Sequence, residues 1–122
     1  MNEVNDMTEH FDGNDVVHLS GEARLLAEYV LKEMTRINEG DQPDTGGCRT
    51  FYSPEEWRER GESYGLEAVL IICHDGGDVA SFFNYDYECY SRVEKMQEAL
   101  ERVGYWAEPC TSWYTAIYRS RG

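Results

Sequence analysis

The chain has 122 residues, of which 41% are hydrophobic, and a formal net charge of −13 at pH 7. This length suits one compact domain with a single core. The negative charge repels polyanions, which argues against direct binding of nucleic acid or of an anionic membrane through a basic face, and it favours a basic protein surface as the partner.

Residues 1–18 are polar, acidic and without periodicity, so the sequence predicts a mobile acidic arm there and a single α+β domain over 19–122. The start lacks the basic and apolar regions of a signal peptide, and no apolar run approaches the roughly 20 residues that cross a bilayer. None of the four cysteines stands in a C-x-x-C pair. We therefore expect a cytoplasmic protein with reduced thiols.

The first predicted helix begins after Ser20 and ends near Asn38. Apolar residues recur along it at helical spacing. These residues are Leu26, Val30, Met34 and Ile37, with Leu25 and Tyr29 widening the stripe. A run of turn-forming residues over 40–47 then predicts a linker.

A second helix is predicted after a short strand over 49–52. Ser53 suits the N-cap, Pro54 the first helical position and Glu56 the third, which together form a capping box. Trp57 is expected to point to the core. The helix is expected to end at Gly61 or Gly65.

A buried strand is predicted over Leu66–His74, because nearly every residue from Ala68 to Cys73 is apolar. Asp75–Asp78 contains two glycines and predicts a hairpin turn. The β-forming residues of Val79–Tyr85 then predict the returning strand.

The third helix is predicted from apolar residues spaced 3 and 4 apart, and it ends at Gly104. These residues are Cys89, Val93, Met96, Leu100 and Val103. Its start is open between Asp86 and a capping box at Ser91. Two aromatic strands follow, over Tyr105–Glu108 and Trp113–Arg119, and Pro109 predicts that the first of them ends early or lies at an edge.

These elements predict an α+β fold, with a mainly antiparallel sheet of 4–5 strands and helices on one face. After an extra N-terminal helix, their order matches a ferredoxin-like β-α-β-β-α-β unit.

Cys73, His74 and Asp75 are the one sequence cluster that resembles a nucleophilic site. Adjacent residues on a strand point to opposite faces, so Cys73 and His74 are expected to be structural. The spacing of cysteines and histidines predicts no metal site, and no phosphate loop or RNA-binding aromatic motif is present. No cofactor and no catalytic residue are predicted.

Two surfaces are predicted to bind a partner, because tyrosines offer large rigid contacts and carboxylates can meet arginine or lysine. The first comprises Tyr85, Asp86, Tyr87, Glu88 and Tyr90. The second comprises Glu55, Glu56, Glu59 and Glu62. Alternatively, the tyrosines cover the end of the core and the acids complement a helix N-terminus.

The leading hypothesis is a non-enzymatic acidic protein that docks on, and inhibits, a basic protein surface such as that of a nuclease or another nucleic-acid-binding protein. In overall character the chain is similar to small acidic phage and mobile-element proteins that inhibit such host machinery. The alternative is a small ligand-binding or enzymatic α+β domain with a pocket at Cys73 and His74. A homo-oligomer is compatible with either hypothesis.

Overall fold

The computed structural model describes residues 16, 18–41, 43, 49–62, 65–74, 78–111 and 113–120, and within them the chain is an α+β protein. The elements in chain order are α1 (Gly21–Ile37), β1 (Phe51–Tyr52), α2 (Pro54–Glu59), β2 (Leu70–Cys73), two 3-10 helices (Val79–Phe82 and Tyr85–Tyr87), α3 (Tyr90–Arg102), β3 (Tyr105–Pro109) and β4 (Tyr114–Arg119). Most of the predicted arm, residues 1–15 and 17, lies outside the described residues.

The four strands form one sheet in the order β1-β2-β4-β3, and every neighbouring pair is antiparallel. All four residues of β2 are buried, because β1 and β4 flank it and side chains cover both of its faces. β3 is an edge strand, which is one of the two alternatives that Pro109 predicted. The predicted antiparallel α+β class is confirmed.

The ferredoxin-like order is not confirmed, because the predicted strand over Val79–Tyr85 is wrong. This segment forms the two 3-10 helices instead. Ser81 donates its backbone N–H and its hydroxyl to the carbonyl of Asp78, and the Asn84 side chain accepts from the N–H of Asp86. These local hydrogen bonds satisfy the backbone in place of a strand partner. Residues 75–77 of the predicted hairpin turn lie outside the described part.

Two apolar cores lie on opposite faces of the sheet. The two long helices, α1 and α3, cover the larger core, and β2 contributes Leu70 and Ile72 to it. Ile71 and Cys73 point the other way, into a smaller core around the fully buried Trp57 of α2. The prediction that the helices lie on one face therefore holds for α1 and α3, whereas the short α2 packs against the other face.

The helix boundaries follow local signals. Ser53 and Glu56 form the predicted capping box of α2, with hydrogen bonds of 2.9 and 3.1 Å. Gly61 follows the C-cap of α2 with φ +84°, and Gly104 follows that of α3 with φ +90°. The start of α3 fits neither predicted alternative, because Cys89 is its N-cap.

In α1, the predicted stripe is confirmed except at Leu25, which is 70% exposed. No helix of the described residues is long and apolar enough to span a membrane.

Candidate functional site

The first predicted surface lies at the junction between the second 3-10 helix and α3. Its three tyrosines, Tyr85, Tyr87 and Tyr90, are 44, 49 and 54% exposed. Between them Glu88 adopts φ +60°, which ends the 3-10 helix and lets the chain turn into α3. Backbone geometry thus holds large aromatic side chains at the surface.

Carboxylates surround these rings. The ring centroids of Tyr85 and Tyr90 are 5.9 Å apart, and Asp86 and Glu88 between them are exposed. Further exposed acids follow Tyr90 at steps of four, four and three residues along α3, a spacing that places them on the same helix face. They are Glu94, Glu98 and Glu101. We call these eight residues, from Tyr85 to Glu101, the tyrosine–carboxylate surface.

The acids of this surface have no intramolecular cation: within the described part of the chain, none of the five forms an ion pair with arginine, lysine or histidine. Sequence reasoning found only its N-terminal half. The signal for Glu94, Glu98 and Glu101 is that they occupy the helix positions left between the buried apolar ones.

The second predicted surface, on α2, is divided. Glu56 lies 2.6 Å from Arg49 and 3.3 Å from His18. Burial alone would raise the pKa of Glu56, but hydrogen bonds from the Ser53 backbone and from Arg49 outweigh it and lower the pKa. Its carboxylate therefore forms contacts within the chain that stabilise the fold.

Of the other acids of this surface, Glu62 lies after the end of α2 and 3.6 Å from Arg60, whereas Glu55 and Glu59 on α2 are exposed. The structure does not join this group to the tyrosine–carboxylate surface. α2 packs on the opposite face of the sheet from α3. Two separate acidic regions are the result, and among the described residues only the one on α3 carries exposed tyrosines.

The Cys73-His74 pair does not form a reactive dyad. Cys73 belongs to the smaller core, whereas the buried His74 ring stacks on Phe83 of the larger core at 6.2 Å. Nε2 of His74 lies 2.8 Å from Thr115 Oγ1. Asp75 lies outside the described residues.

A second thiol, that of Cys110, lies at the margin of the smaller core. Burial raises its pKa, and the nearby Glu108 raises it further, so this thiol is kept protonated at neutral pH. Its environment is the opposite of the electropositive one that activates a nucleophilic cysteine.

Among the described residues, no group of three or more His, Cys, Asp or Glu side chains is arranged to hold a metal ion. The described residues line several cavities. One of about 340 Å³ lies between the start of α1 and that of α2 and is lined by His18, Glu22 and Glu55 among others. No family model, curated protein or solved structure matches this chain.

Proposed function

We propose that this chain is a non-enzymatic binding protein whose tyrosine–carboxylate surface docks on a basic protein surface and blocks it. The observation that carries the proposal is the combination of three exposed tyrosines with five exposed carboxylates that lack an internal cation in the described residues. Tyrosine provides large contact area with little loss of side-chain freedom, and free carboxylates attract arginine and lysine.

The partner that fits this chemistry is a nuclease or another nucleic-acid-binding protein. Its basic surface is built to meet phosphates, and a row of carboxylates along α3 presents negative charge of the same sign. Inhibition follows because nucleic acid and this chain compete for one surface. Such a role suits a phage or mobile-element protein acting in the cytoplasm.

The test uses the full chain against purified basic nucleic-acid-binding proteins, nucleases included, with a labelled DNA duplex as competitor. The variants Asp86→Arg/Glu88→Arg and Glu94→Arg/Glu98→Arg reverse charge within the surface. The control Glu55→Arg/Glu59→Arg makes the same change in net charge on the opposite face. We expect the two surface variants to bind roughly tenfold more weakly, and raised salt to reduce the difference.

Three results contradict this proposal. Equal weakening by all three variants means that binding follows net charge and not this surface. Unchanged binding in both surface variants excludes the tyrosine–carboxylate surface as the docking site. Binding that the DNA duplex does not displace excludes competition at a nucleic-acid site. Circular dichroism of each variant confirms that the fold is retained before binding is compared.

A further inference from the structure

Within the described residues, the edge strand β3 pairs only with β4, and its other backbone edge is unpaired. The backbone N–H of Ser120 donates to the carbonyl of Gly104, and the backbone N–H of Cys110 donates to that of Tyr114. These two bonds mark the ends of β3, so the even-numbered residues of β3 are the ones whose backbone groups bond to β4. In an antiparallel pair the alternate residues point outward. Tyr105 and Ala107 therefore direct their N–H and C=O groups away from the sheet.

One face of this edge carries an open aromatic pair. Trp106 is 43% exposed, and its ring stacks on that of the paired Tyr118 with centroids 5.0 Å apart. Tyr118 lines two cavities, of about 440 and 180 Å³; Glu67 and Arg119 also line the first, and Glu108 also lines the second. Burial raises the pKa of Tyr118, and the carboxylates of Glu108 and Glu67 raise it further. Two carboxylates thus lie near the aromatic pair.

Three aromatic rings elsewhere in the described chain, those of Tyr52, Trp57 and Phe82, lie beneath arginine guanidinium groups. Arg49 lies 4.4 Å from the ring centroid of Tyr52, and Arg60 lies 4.8 Å from that of Trp57. No described arginine lies over Trp106 or Tyr118 in this way. The neighbouring Arg119 instead binds Glu22, with Nε 2.8 Å from the carboxylate. A cation from outside is the group that fits here.

The other face of the edge begins with an apolar groove of about 460 Å³. Tyr105 lines it, together with Leu25, which is 70% exposed, and Val103, which is 45% exposed. The side chains of Tyr105 and Ala107 pack toward the larger core on this face. The two faces of β3 therefore differ sharply, because one is aromatic and acidic and the other is apolar.

From these features we propose that β3 accepts, as an added strand, an extended segment of a protein partner in which basic and apolar side chains alternate. The segment pairs with the outward N–H and C=O groups of Tyr105 and Ala107. Its basic side chains lie over the stacked Trp106 and Tyr118, near Glu108, and its apolar side chains face the groove at Leu25 and Val103. The site is built from elements outside the tyrosine–carboxylate surface, so it stands or falls separately from the proposed function.

The probe is a short synthetic peptide in which arginine and valine alternate, titrated against the full chain. The reference is a peptide of the same composition with its arginines and valines in two blocks. We expect the alternating peptide to bind roughly tenfold more tightly, because only it can present one kind of side chain to each face. Binding should slow amide hydrogen exchange at Tyr105 and Ala107.

Variants locate the site. Trp106→Ala and Glu108→Arg should each weaken the alternating peptide roughly fivefold, because one removes the aromatic face and the other reverses the local charge. Asp41→Arg makes the same charge change at an exposed position after α1 and should leave binding within twofold. Both altered side chains at the edge are exposed, so loss of fold does not explain their effect.

Equal affinity for the two peptides overturns the proposal, since it reduces binding to overall charge. Unchanged binding in both edge variants, or protection confined to amides outside β3, overturns it as well. Sedimentation tests a different occupant: a dimer of this chain that Ala107→Pro converts to monomer would assign the edge to a second copy, which also contradicts the proposal.

Discussion

The imidazole of His74 is fully buried, and its Nε2 lies 2.8 Å from the hydroxyl of Thr115 on the neighbouring strand. A polar side chain in the interior is stable only when its hydrogen bonds are made, and this one links β4 to the residue after β2. The ring also stacks on Phe83. His74 therefore contributes to the stability of the fold and not to chemistry at the surface.

We expect His74→Ala to lower the free energy of unfolding by about 2–4 kcal/mol, because it leaves a cavity and removes the partner of the Thr115 hydroxyl. Urea unfolding followed by fluorescence measures it. Tyr87→Ala, at an exposed position, should change stability by no more than about 0.5 kcal/mol. Equal stability of wild type and His74→Ala would contradict the structural role.

Replacing Gly65 or Gly61 by alanine distinguishes two costs of an added side chain, namely backbone strain and lack of space. Both have positive φ, +82° and +84°, and a side chain at either position is strained. A Cβ at Gly65 would also lie 2.9 Å from Ile71 Cδ1, whereas the space around Gly61 is open. Gly61→Ala should therefore cost about 1 kcal/mol and Gly65→Ala at least about 1 kcal/mol more, as thermal unfolding would show. Similar losses of stability in the two variants would mean that the smaller core accommodates the added methyl group without loss of stability.

The stability of the short helix α2 depends on its capping box. Its six residues are too few for a helix that is stable by propensity alone, so its N-terminus and the burial of Trp57 hold it in place. The α3 sequence contains a similar motif at Ser91, but there the helix has already begun at Tyr90. The same four-residue pattern thus has two different structural outcomes.

Ser53→Ala should destabilise the protein by about 1 kcal/mol, because the backbone N–H of Glu56 loses its acceptor. Ser91→Ala is the matched control and should change stability by less than about 0.5 kcal/mol, since Ser91 is exposed within α3. Denaturant midpoints of the two variants measure the contrast. A larger loss at Ser91 would reverse this assignment of the caps.

Elements whose signal is local were predictable from the sequence, and those decided by packing were not. The Ser53 cap, the Gly104 helix end and the apolar run of β2 each fix their own element. In Val79–Phe82, β-forming side chains are buried but the backbone bonds to itself, a choice made by tertiary packing. For the same reason, the positions of the acids on helices could be predicted, but not which of these acids form ion pairs in the folded chain.

The acidic side chains behind the net charge of −13 fall into two groups. Some carboxylates join distant parts of the chain: Glu33 lies 2.8 Å from Arg36 and 3.6 Å from Arg102, which connects α1 to the end of α3. Others, such as Glu94 and Glu98, are exposed with no cation among the described residues. Only the second group is available to a partner, so total charge alone overstates the binding surface.

Glu22 connects the start of α1 to both strands at the edge of the sheet. It accepts hydrogen bonds from Arg119 and from the Tyr105 hydroxyl. The Arg119 hydrogen bond, with that of Tyr105 after it, holds the pKa of Glu22 below its ordinary value of 4.5. A depressed pKa means that the ionised carboxylate stabilises the folded state, so this contribution is complete above pH 4.5 and is lost as the pH falls through the folded-state pKa.

The free energy of unfolding of Glu22→Gln should therefore lie below that of wild type at pH 7, by less than about 1 kcal/mol because the pair is partly exposed. The difference should shrink as the pH falls below 4.5 and vanish once the pH lies below the folded-state pKa, where Glu22 is protonated in both states. Glu28→Gln breaks only the exposed Arg24 pair within α1 and should cost about 0.3–0.5 kcal/mol. Urea unfolding at several pH values measures these differences. A Glu22→Gln difference that is independent of pH would show that Glu22 stabilises the molecule by packing and not by its charge.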